Sequence, residues 1–168
     1  MTVRSWLGVS LLAGVAPLAA QQPFPADSAA RLVAVASDSS GRVSLEARAA
    51  ALRTLSGACP AEHVPVLLHL GRPYRQPWVI WRGALTALSA CALPELAPMW
   101  RELLGFPRRP VRELAIVGVA RTGIAADRPM LREATHRETD RRMRALAAWA
   151  DTLLGLPPAE RAMRSPPH

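Results

Sequence analysis

The sequence predicts an all-α protein, an α-solenoid of about four short helical hairpins behind a leading capping helix. Three observations carry that reading. One sentence of residues recurs along the chain, its copies keyed by Arg48, Arg82, Arg112 and Arg144, at steps of 34, 30 and 32 residues. A repeat of this length is one helical hairpin, which buries its apolar face only by stacking on neighbours. The apolar positions recur at three- and four-residue spacing, the period of a helix. And the composition favours helix packing over strands: half the residues are hydrophobic, yet only two are phenylalanine and one is tyrosine, leaving a core of alanine, leucine and valine with tryptophan as large filler.

The clearest copy is 110–123. Pro110 suits a first helical position, where its missing N–H costs nothing, and Gly123 is a C-terminal stop. Between them Val111, Leu114, Ala115, Gly118 and Val119 form one face, and Ile116, Val117 and Ala120 widen it. A helix apolar nearly all round is a buried one. Related copies run 48–57, 82–91 and 144–150, with the first of these helices expected over 42–56. Between them lies a second kind of helix, at 62–70, 94–104 and 127–139, each preceded by turn chemistry such as Cys59-Pro60-Ala61 or Ala126-Asp127-Arg128-Pro129. The order is helix, short turn, second helix, short turn, and short connections favour antiparallel neighbours. Ahead of them Asp27 or Ser28 caps a leading helix reaching about Ala36, closed by the turn Asp38-Ser39-Ser40-Gly41.

The stretches Ala47-Arg48-x-x-Ala51-Leu52, Trp81-Arg82-x-Ala84-Leu85, Val111-Arg112-x-x-Ala115 and Met143-Arg144-x-x-Ala147 resemble the HEAT-like repeat family, in particular its short-repeat, phycobilin-lyase-type branch. The resemblance covers roughly 42–155 and implies a right-handed α-solenoid. The Arg82 copy stands one residue out of register. No residue matches a lyase site, so no lyase activity is carried over.

The chain divides into a leader at 1–20, a linker at 21–26, the helical domain at 27–155 and a Pro-rich tail at 156–168. Arg4, the apolar run from Trp6 to Ala16 and the small residues before Gln21 have the form of a secretory signal peptide, the alternative being an uncleaved N-terminal anchor, so the protein is expected in the periplasm or outside the cell, touching membrane only during export. Two proline pairs oppose helix in the tail, where disorder is expected, with one helical turn over 159–164 as the alternative.

Every side-chain cation except histidine is arginine, and the formal net charge is +8. There is no lysine for a phosphate-binding loop or a Schiff base. Glu133 and His136 are three apart on one helix face, but a single Glu-x-x-His pair does not make a di-iron site. Neither a catalytic set nor a cofactor or metal site is expected, and nucleic acid is not an expected partner. The candidate binding residues come instead from two equivalent junctions: Arg72, Tyr74, Arg75 and Trp78 in the first, Arg108 and Arg109 in the second, which also holds Phe106. Arginine beside exposed aromatics is what protein interfaces favour; the other reading is that Tyr74 and Trp78 fold back over the helix ends. The expected function is thus non-enzymatic, a scaffold for a protein partner. Alternatives are a ligand-binding or enzymatic module using this basic, aromatic groove, and adhesion to an anionic surface. Cys59 and Cys91 fall at corresponding turns of adjacent repeats; they either form a disulfide, as an exported chain allows, or pack as two small apolar residues at helix ends.

Overall fold

A computed structural model describes residues 25–56, 59–162 and 164–167. The expected leader and most of the linker lie outside the described residues. Among those described, the chain is entirely helical, with no strand. The helices are α1 (Ala26–Ser37), α2 (Leu45–Leu55), α3 (Val64–Leu70), α4 (Trp78–Ser89), α5 (Ala97–Leu103), α6 (Arg109–Thr122), α7 (Arg128–Arg137), α8 (Arg141–Leu154) and α9 (Pro158–Ala162).

Local chemistry sets the boundaries. The Asp38 carboxylate accepts the N–H groups of Ser40 and Val43, each at 2.9 Å. This holds the turn open past Arg42, so α2 starts at Leu45, three residues later than the sequence predicts, with Ser44 as its cap accepting from the Ala47 N–H at 3.2 Å. Asp140 caps α8 in the same way, taking the Met143 N–H at 3.0 Å. The short helices α3, α5 and α7 share an entry: a single 3-10 turn (Ala61–His63, Pro94–Leu96, Ala125–Asp127), then a proline in the first helical turn, Pro65, Pro98 and Pro129. There proline's fixed φ suits the helix and its missing donor costs no intrahelical bond.

The long helices α2, α4, α6 and α8 pack in succession, each on the next. Each short helix packs chiefly on the long helix that follows it: α3 on α4, α5 on α6, α7 on α8, with α1 on α2 in the same relation. The working hairpin is therefore short helix first and long helix second, and the leading helix is the short partner of α2. Ala51, Ala84, Leu85, Ala115 and Ala147 are all buried. One apolar core runs from Ala29 on α1 to Leu154 on α8, with Trp81 and Trp100 as its largest members. As expected of its composition, α6 is surrounded, touching α4, α5, α8 and α9, and the Gly123 N–H ends it by bonding to the Val119 carbonyl at 2.8 Å.

The tail departs from the expected disorder. Its first two prolines, Pro157 and Pro158, sit at the start of α9, where the first turn tolerates them. Arg161 is buried, its Nη1 donating to the Gly123 carbonyl at 2.6 Å and its Nε to the Leu156 carbonyl at 2.7 Å. The Gly123 bond thus fastens α9 to the end of α6, and the Leu156 bond closes its own entry turn.

Candidate functional site

The keyed arginines explain how the junctions between helices are built. Arg48 Nε donates to the Ala36 carbonyl at the end of α1, at 2.9 Å, and its Nη2 to the Gln76 side chain in the next junction, at 3.1 Å. Arg112 Nη1 donates to the Phe106 and Pro107 carbonyls behind it, at 3.1 and 2.9 Å, and its Nε pairs with Glu138 in the junction ahead. Arg144 Nη1 donates to the carbonyls of Glu138 and Thr139. One guanidinium therefore ties its own junction and, for Arg48 and Arg112, reaches the next.

In α4 the corresponding slot holds Trp81, not Arg82, which accounts for the one-residue slip in the sequence pattern. Trp81 joins the same two junctions by aromatic contact. Its ring centroid lies 6.3 Å from that of Tyr74 in the junction before α4 and 5.9 Å from that of Phe106 in the junction before α6. Tyr74 and Phe106 are themselves 6.0 Å apart. Trp78 stands edge-on to Trp81 at 4.4 Å, with the Arg108 guanidinium 5.0 Å and that of Arg82 5.9 Å from its ring centre. Such placements of a cation on an aromatic ring are worth about 0.5–1 kcal/mol at exposed sites.

Tyr74 is the exposed tip of this cluster. Its side chain is 71% accessible, and its backbone has φ of 63°, the only non-glycine residue with positive φ among those described. An L-residue held there costs about 1–2 kcal/mol, and a bulky ring makes it an outlier. The junction thus maintains a strained backbone whose visible result is an aromatic ring aimed outward.

Set against protein-family models, curated proteins and solved structures, the chain matches none of them.

Of the six residues singled out in sequence, Tyr74, Trp78 and Arg108 meet around one cluster. Arg72 and Arg75 are exposed in the same turn as Tyr74. Arg109 turns away: it pairs with Asp140 at 2.8 Å and Glu113 at 3.2 Å, bracing α6 against the start of α8. Trp81 had looked like plain core filler, and its contribution to the edge was visible only as an aromatic in a slot where the other copies carry arginine. Glu133, expected to face His136, pairs with Arg137 at 2.9 Å. No cluster of three metal-ligating side chains occurs among the described residues, nor is any described helix long and apolar enough to cross a membrane. Cys59 and Cys91 stand at disulfide distance, with Cα atoms 4.9 Å apart.

Proposed function

We propose that the protein is an exported, non-enzymatic scaffold that holds a protein partner on the edge formed by Tyr74, Trp78, Arg108 and Phe106. The observation that carries this is Tyr74: an exposed aromatic on strained backbone, braced from behind by Trp81 and Phe106. Strain of this kind persists where the surroundings over-determine it and clusters at functional positions. Tyrosine, tryptophan and arginine are also the residues that dominate binding energy at protein interfaces.

The architecture we assign is a right-handed solenoid of HEAT-like hairpins, supported by the succession of α2, α4, α6 and α8 and by the arginine slot common to three of them. Such stacks present an extended surface to other macromolecules. Export rests on the form of residues 1–20, and the cysteine pair is compatible with an oxidising compartment.

A photo-crosslinking residue at position 74, with position 145 on the exposed face of α8 as control, tests the reading in the exported fraction. A discrete adduct specific to position 74, lost on Arg108→Glu, is expected; equal labelling at both positions would overturn it. Tyr74→Gly gives a second measure. It removes the backbone strain, so the melting temperature should not fall, while affinity for the crosslinked partner should drop at least about tenfold.

A further inference from the structure

A cleft between α2 and α4 lies beside, but is distinct from, the Tyr74 tip. Its volume is about 370 Å³, at the lower end of the range for small-molecule sites. Trp78, Val79 and Gly83 of α4 form its accessible apolar floor, with Ala49 and Leu52 of α2 buried behind it. At Gly83 α4 lies close on α2: a methyl group there would lie 3.0 Å from the Leu52 Cβ. With Trp81, Arg112 and Arg144 aligned, the Gly83 and Thr86 positions correspond to Leu114 and Val117 in α6 and to Leu146 and Trp149 in α8. The larger side chains of the sister helices are replaced in α4 by the two small ones that line the cleft.

One cation comes from each wall, Arg53 from α2 and Arg82 from α4. Both are exposed, and neither forms an ion pair among the described residues, whereas Arg101, Arg109, Arg112, Arg128, Arg132 and Arg137 all do. No acidic residue lines the cleft. A larger cleft, lined from α5, α6, α7 and the junction between α5 and α6, contrasts with it: its arginines Arg101, Arg112 and Arg137 are set among Glu133 and Glu138 and are paired.

We propose that the α2–α4 cleft binds a small amphipathic carboxylate, its apolar body on Trp78, Val79 and Gly83 and its carboxylate between Arg53 and Arg82. A guanidinium presents its donors in a planar fork that matches a carboxylate, and two of them facing an apolar floor select for charge at one end of the ligand only. This site does not depend on the protein-binding reading of the Tyr74 edge.

Calorimetric titration of the full chain with decanoate and with 2-naphthoate, each below its aggregation concentration, tests the site; decanol is the neutral control. Saturable one-to-one binding of at least one carboxylate is expected, at least tenfold weaker in the Arg53→Gln/Arg82→Gln double variant and absent for decanol. Which carboxylate binds tells whether the body is aliphatic or aromatic. Thr86→Leu, which keeps both cations and fills the cleft, should also abolish binding; it decides the matter if the double variant fails to fold. No saturable binding of either carboxylate overturns the proposal, as does decanol binding as well as decanoate, or wild-type affinity in whichever variant folds. Crosslinking at position 74 is independent of all these outcomes.

Discussion

At Gly118 a single methyl group has no room. A Cβ built there would lie 2.2 to 2.4 Å from atoms of the Trp100 ring, so α5 and α6 meet with an indole lying on bare backbone. Gly118→Ala should therefore destabilise the protein by about 1–3 kcal/mol or somewhat more through overpacking. Gly105→Ala, whose new methyl finds its nearest neighbour at 3.8 Å, should change little; urea denaturation of the two variants makes the comparison. Single residues are also where the sequence was hardest to read. Gly118 was recognisable as part of an apolar face, but not as the seat of Trp100, because that depends on which helix arrives opposite. The positive φ of Tyr74 has no local signature either, since tyrosine does not favour it. Arg109 looked identical to Arg108 in sequence, and only the arrival of Asp140 from the start of α8 separates their roles.

Between elements, carboxylates join the later helices. Asp151 on α8 accepts both Arg128 Nε and Nη2 from α7 at 2.9 Å, with Arg132 at 3.3 Å. The Arg128 hydrogen bonds, outweighing burial, bring its pKa from 3.8 down to about 2. Asp127 is pulled two ways: burial favours its neutral form, but the Arg101 guanidinium and the Ile124 N–H prevail and hold it below the usual carboxylate value. A carboxyl group with a depressed folded pKa contributes stability that is complete above its unfolded pKa and is lost as pH falls through the folded one. For Asp151 that window runs from about pH 4 to about pH 2. Asp151→Asn should lower stability at neutral pH and flatten the decline across that window, as acid titration followed by circular dichroism would show. Helix existence and order were legible because the apolar period and the prolines are local signals. The partner of each helix was not: read along the chain, a long helix seems to belong with the short one after it, whereas the packing and the guanidinium bonds of Arg112 and Arg144 join it to the junction before it. In the tail, proline was read as a breaker when its position made it a helix start.

For the molecule as a whole, the repeat of arginine and small apolar residues was enough to read an all-helical chain with one continuous core, since burying such faces requires stacked neighbours. The cysteine pair was legible as a possibility from matching turn positions, and what the sequence could not supply was the close approach of those turns, with Cα atoms 4.9 Å apart. Closing a span of 32 residues should stabilise the protein by about 2–4 kcal/mol. The denatured, unreduced protein should then show no reactive thiol, and Cys91→Ser should lower the denaturation midpoint by a corresponding amount; two reactive thiols per chain would contradict both. The same closure has a mechanical consequence. With Cys59 and Cys91 bonded, residues 59–91 would form a ring containing α3, α4 and the Tyr74 junction, so tension applied to the two ends of the chain would pass from Cys59 to Cys91 and leave the ring slack. Fully stretched, the oxidised protein should be shorter than the reduced one by about 110 Å, the contour length of the enclosed residues, and the chain bearing the exposed tyrosine would carry no load.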